Sequence, residues 1–181
     1  MAGHLERGAR TFGNRWRIAG WGTMAALLLL PLIAMRFTDE VNWDATDFAF
    51  ATILMGGVGI GLELAVRMSR HFAYRAGAAA ALAAAFLMTW ANGAVGIIGS
   101  ERDPINTIFT GIVALALITA AIARFRPRGM AVAMLTTACA QIVAGVIGFT
   151  LDPKGAMLSG IFVVLWLASA ALFHKAAREQ T

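Results

Sequence analysis

Apolar residues in this chain come in blocks of about twenty, separated by short stretches rich in Arg, Asp, Gly and Pro. Strict alternation of apolar and polar positions, the mark of half-buried strands, does not occur. Six blocks are long enough to cross a bilayer core of about 30 Å as helices. They are placed at Ile18–Arg36, Asp47–Val66, Ala76–Gly99, Ile105–Arg124, Met130–Phe149 and Ala156–His174. The connections are short, so sequence neighbours form antiparallel helix pairs. The expected fold is an all-α polytopic bundle of six transmembrane helices. Residues 1–17 read as a basic cytoplasmic segment, 18–174 as the membrane domain and 175–181 as a cytoplasmic tail.

Charge gives the bundle a direction. Arg7, Arg10, Arg15 and Arg17 precede the first span; Arg67, Arg70 and Arg75 follow the second. Arg124, Arg126 and Arg128 follow the fourth, and Lys175 and Arg178 the sixth. The alternate loops hold only Arg36, Arg102 and Lys154. That asymmetry is the positive-inside pattern and predicts that both termini are cytoplasmic. The opposite rim carries Asp39, Glu40, Asp44, Asp47, Glu101, Asp103 and Asp152. Trp43 suits that outer interface, and Trp16 and Trp21 the inner one.

Composition agrees with this class and removes others. Hydrophobic residues make up 59% and charged residues 14% of 181 residues, against roughly 45–50% and about 25% in soluble domains. Mean hydropathy is +0.72. The pI near 10.7 reflects the basic rim; no separate basic fold exists to bind nucleic acid. The basic stretch before Leu27–Leu30 is not a cleaved signal, because the apolar run is too long and lacks a small-x-small site. It reads as a retained helix with a kink at Pro31. Cys139, the single cysteine, reads as a small core side chain.

Shifting the chain by 49 residues lays spans three and four onto five and six. Gly96, Ile98, Gly99, Asp103, Pro104, Gly111 and Ile112 fall among others on Gly145, Ile147, Gly148, Asp152, Pro153, Gly160 and Ile161. In each unit the Asp-Pro pair is expected to open the second helix. Asp103 and Asp152 would cap free N–H groups, with Pro at the first helical position. Two-helix units repeated this way are related by an axis along the membrane normal.

The same shift pairs Asn92 with Gln141 and Thr110 with Ser159, all about 10 Å from the outer helix ends at 1.5 Å per residue. Trp90 stands close by and Trp166 deeper. Asn92 shares a helical stripe with Gly96 and Gly99, as Gln141 does with Gly145 and Gly148. Two readings follow: amides that bond across a close helix contact, or a small outward-facing polar pocket lined by Asn92, Thr110, Gln141, Ser159 and Trp90. Glu63 lies four residues before Arg67, which predicts an ion pair on one helix face; as an ionisable residue within a span it is also a candidate for coupling. Gly57 and Gly61 fit a small-xxx-small contact.

His4, His71 and His174 lie at or beyond helix ends with no metal-ligand spacing. Ser159 has no in-span His or Lys to serve as base. No catalytic, cofactor-binding or metal-binding residue is predicted, and no cofactor. Three stretches, Met35–Phe50 (MRFTDEVNWDATDFAF), Trp90–Asn106 (WANGAVGIIGSERDPIN) and Ala123–Ala131 (ARFRPRGMA), resemble a family of small, uncharacterised proteobacterial integral membrane proteins. The resemblance implies a bacterial inner-membrane location and carries no activity. In size and span number the chain is also similar to the substrate-binding component of energy-coupling factor transporters, whose A-x-x-x-A contact in the first span is missing here. The expected role is a non-catalytic accessory or structural membrane subunit, with the bilayer and partner helices or further copies as its contacts. The alternative is transport or capture of a small molecule or ion through the polar pocket.

Overall fold

In the computed structural model of the chain, residues 2–179 are described, with side chains from 17 onwards. The basic and aromatic side chains expected to act at His4, Arg7, Arg10, Arg15 and Trp16 therefore lie outside the described side chains. The helices are α1 (Ala2–Ala34), α2 (Ala45–Met68), α3 (Phe72–Ala94), α4 (Thr107–Ile122), α5 (Pro127–Phe149) and α6 (Pro153–Arg178), with a 3-10 turn at Pro104–Asn106. No strand occurs among the described residues. Six helical segments are long and apolar enough to cross a membrane, consistent with a multi-pass membrane protein. The chain divides into two compact units, Met1–Ile60 and Gly61–Thr181.

In the first unit α1 meets α2 at Gly59, where an added Cβ would sit 3.1 Å from Met24 Sδ and from Trp21 Cη2. Pro31 falls in the last turn of α1 and its carbonyl still accepts from Met35 N at 2.9 Å. The start of α2 is a reciprocal cap. Asp44 Oδ1 accepts from Thr46 N (2.7 Å) and Asp47 N (3.0 Å), while Asp47 Oδ2 accepts from Asp44 N (2.9 Å). Trp43 lies edge-on to Phe48 at 5.3 Å between ring centroids. A side-chain box closed by residues before the cap and one turn inside is the capping box with its hydrophobic staple. Asp44 and Asp47 thus serve as helix-start signals.

In the second unit α6 packs on α5 and α3, and α4 packs on α5 and α3, so the four helices close a ring. Its interior holds Trp166, Phe109, Phe173, Met88 and Met134, all under 2% exposed or nearly so, with small residues between them. Ser169 Oγ donates to the Gly77 carbonyl at 2.8 Å, tying α6 to α3 where Gly77 lies under Phe173. Tyr74 stands edge-on to Phe173 and donates to the Phe125 carbonyl at 2.9 Å. That bond secures the α4–α5 turn, in which Arg124 and Phe125 both take positive φ. Arg75 donates to the carbonyls of Ser69 (2.8 Å) and Val66 (3.1 Å) at the end of α2, satisfying groups a helix C-terminus leaves open. Outside the ring, Ile122, Leu117, Leu158 and Ile161 are exposed. Helices apolar on both faces suit immersion in lipid.

Three sequence expectations need correction. The third helix ends at Ala94 instead of Gly99. Gly96 and Gly99 have φ of +77° and +68°, a region that needs glycine, so residues 95–103 form a loop. Gly145 and Gly148, their partners at the 49-residue shift, are helical. Only Gln141 therefore shares a helical stripe with its glycines. Second, Cys139 is exposed on α5, on the outward face of a helix that is apolar all round. Third, α6 continues through Lys175 to Arg178, into what reads as a tail.

Candidate functional site

The polar groups of the second unit gather around the loop 95–103 and the helix ends it touches. The organiser is Asn106, which is 3% exposed. Its Oδ1 accepts from Ile97 N and Ile98 N, each at 3.0 Å. Its Nδ2 donates to the carbonyls of Ile98 (3.0 Å) and Ser100 (2.6 Å). One amide thus supplies the loop with the partners that a helix or sheet would otherwise provide. Ile98, 1% exposed, is pressed against Gly148 of α5, where an added Cβ would meet its Cδ1 at 2.7 Å. Sequence reading passed over Asn106; its position just after Asp-Pro-x, where a buried side chain can reach back to the preceding glycine turn, is the signal.

The two aspartates of the expected repeat behave differently. Asp152 Oδ1 accepts from Lys154 N (3.1 Å) and Gly155 N (3.0 Å) at the start of α6, and its Oδ2 accepts from Gly99 N at 3.1 Å. It caps one helix and holds the loop. Asp103 stands at the N-cap position of the 3-10 turn but makes no forward side-chain bond. Its Oδ2 accepts instead from Ser100 N (2.6 Å) and Ser100 Oγ (3.1 Å). The reason is local: a Ser three residues back offers the carboxylate two donors in a tight turn. The cap expected of Asp103 is thus replaced by a loop closure. A cavity of about 340 Å3 lies beside both carboxylates, floored by Ile98 and Ile105.

The Gly155 and Gly99 N–H groups hold the Asp152 carboxyl below the usual carboxylate range, outweighing a small opposing desolvation. A folded-state value below the ordinary one supplies stability above about pH 4 that is lost as pH falls through the depressed value. Asp152→Asn is expected to melt several degrees lower than wild type at pH 7. The gap should narrow below about pH 4 as the wild-type carboxylate takes up its proton. Melting temperatures of both proteins between pH 7 and 3 check this; a gap of constant size contradicts it.

The candidate pocket residues form two pairs. Asn92 Nδ2 reaches the Asn106 carbonyl (3.2 Å) and Thr110 Oγ1 (3.4 Å). Gln141 Nε2 reaches the Ser159 carbonyl at 3.5 Å, and Ser159 Oγ turns to the Ala156 carbonyl at 2.7 Å. Their surroundings are unequal: Gln141 and Ser159 are buried, whereas Thr110 is exposed. Trp90 stacks on Phe86 at 6.0 Å. Asn92 Oδ1 and Gln141 Oε1 are buried with no hydrogen-bond partner. Glu63 and Arg67 form an ion pair one turn apart on α2, with the Arg67 side chain 66% exposed. Such exposed pairs contribute little to stability.

Two further cavities lie within this unit. One, of about 580 Å3, runs between α5 and α6 beside Arg128, His174 and Arg178. The other, of about 140 Å3, is bounded by the end of α2, by α3 and α4, and by Trp166. Among the described residues no group of three His, Cys, Asp or Glu side chains stands together as a metal-ligand set. No family model, curated protein or solved structure matches the chain.

Proposed function

We propose that this chain is a multi-pass inner-membrane protein with both termini in the cytoplasm, acting as a non-catalytic accessory subunit that docks on partner helices. The inner-membrane placement follows the resemblance to the proteobacterial membrane family, and the orientation follows the arginines. The observation that carries the subunit reading is the fate of the in-span amides. The amide nitrogens of Asn92 and Gln141 both donate to backbone carbonyls of the following helical segment, the use expected of polar groups that join helices in lipid. A second reading, capture of a small polar molecule, draws support from the two unpartnered acceptors Asn92 Oδ1 and Gln141 Oε1.

One set of measurements separates the two. Under the subunit reading, Asn92→Leu and Gln141→Leu each lower the melting temperature of the solubilised protein by a few degrees. A panel of water-soluble metabolites and ions leaves wild type unmoved. Native electrophoresis of a mild-detergent extract then places the chain in one defined complex larger than itself. A metabolite that raises the wild-type melting temperature and loses its effect in either leucine variant overturns the subunit reading in favour of capture. Reporter fusions at residues 40, 102 and 154 test the orientation, with cytoplasmic signals there contradicting it.

A further inference from the structure

Trp166 is 1% exposed, and its indole Nε1 is buried without an acceptor. An indole N–H is a donor only, and when buried it ordinarily finds a partner, because an unmade bond costs its full desolvation. The same residue lines the 140 Å3 cavity. The Tyr74 hydroxyl, also on its wall, is already committed as a donor to Phe125. The remaining wall is alanine, leucine and methionine, with Gly61 and Phe125. Ala81, Ala85, Ala116 and Ala120 create the space, since each stands where a larger side chain would close it.

Entry is from the side. Leu64, Met68 and Leu117 border the cavity and are 49%, 49% and 62% exposed. They belong to the apolar outer surface of helices long enough to span a membrane, so in a bilayer the mouth would face lipid. Size narrows the occupant. A cavity of about 150 Å3 holds one benzene ring, and a water needs two to four polar partners, more than this wall offers.

We propose that this cavity binds a lipid-soluble molecule with a one-ring head bearing a carbonyl or ether oxygen, whose apolar tail leaves between α2 and α4. Trp166 Nε1 donates to that oxygen, the alanines receive the ring, and Leu64 and Leu117 flank the tail. This inference is independent of the accessory-subunit reading. It concerns different residues from Asn92 and Gln141.

The test uses the full chain in phosphatidylcholine nanodiscs and two probes with the same ten-carbon tail. 2-Decyl-1,4-benzoquinone has ring carbonyls on an otherwise unsubstituted ring, and decylbenzene has none. Binding to the folded state raises the melting temperature with probe concentration. The expected result is a saturable rise with decylbenzoquinone at concentrations where decylbenzene gives little. Trp166→Phe, which keeps a ring and removes the N–H, should weaken the decylbenzoquinone response about tenfold, the scale of one hydrogen bond. Ala116→Leu, which fills the cavity, should abolish it. No rise in wild type, an equal rise with both probes, or an unchanged response in Trp166→Phe each overturns the proposal. If a variant fails to fold, the contrast between the two probes in wild type still decides.

Discussion

Replacing Asn106 by leucine is expected to destabilise the protein by about 3 kcal/mol or more, the largest loss for any single polar side chain here. The substitution keeps the branched shape, adds bulk at a buried position and removes four hydrogen bonds at once. It leaves the N–H groups of Ile97 and Ile98 and the Ile98 carbonyl without partners. Each buried, unmade bond costs about 1–3 kcal/mol. The Ser100 carbonyl still accepts from Asp103 N at 3.0 Å, so the fourth loss is softened. Asn106→Asp should fall between, since it keeps acceptors for both N–H groups but turns a negative oxygen towards two carbonyls. Unfolding in mixed micelles measures the loss, and tryptic cleavage at Arg102 should accelerate in parallel. A leucine variant as stable and as protease-resistant as wild type would show that the loop is held by something other than this amide.

Much of the fold was legible because lipid thickness acts directly on sequence: a span must be long and apolar, and the six blocks are. The ends of helices were legible where a residue has one strong use. Asp152 before Pro153 and Lys154 is such a case. Asp103 was not, because Ser100 competes for its carboxylate. The D-A-T-D box at the start of α2 was readable by the same rule, flanked by Trp43 and Phe48, but its acids were also plausible as rim charge. Facing was hidden. In a helix immersed in lipid the outward residues are as apolar as the inward ones, so no moment separates Cys139 from its buried neighbour Ala138. The loop 95–103 was hidden for a related reason. Gly96 and Gly99 have helical spacing as well as the positive φ they adopt, and only Asn106, remote by eight residues from Ile98, decides between the two.

The candidate site follows the same division. The 49-residue shift matched Asn92 to Gln141 and Thr110 to Ser159 as equivalent positions, whereas the contacts run between the two sets, Asn92 to Thr110 and Gln141 to the Ser159 carbonyl. Their unequal burial and the orphaned Trp166 N–H depend on how the helices rotate about their axes. A sequence with weak amphipathicity does not specify that rotation locally; it is set by the close contacts at Gly77 under Phe173 and Gly61 under Leu82.

Gly155→Ala and Gly160→Ala, five residues apart on α6, are expected to move stability in opposite directions. An added Cβ at Gly160 meets nothing within 4 Å, so alanine should gain about 0.5–1 kcal/mol by lowering the backbone entropy lost on folding. At Gly155 the added Cβ would overlap the Ile97 carbonyl oxygen and crowd Asp152 Oδ2. Overpacking of this kind costs about 1–3 kcal/mol. The carbonyl has little room to yield, because the Ile97 and Ile98 N–H groups are fixed on Asn106 and Ile98 is wedged against Gly148. That constraint makes a sharper claim available. Once Asn106→Leu has released the loop, the carbonyl of Ile97 is free to shift, and Gly155→Ala should cost much less than it does alone. A double-mutant cycle should therefore give a coupling of about 1 kcal/mol or more. Strict additivity would mean that Gly155 is crowded by α6 and its cap alone, and that Asn106 does not hold the loop against the helix.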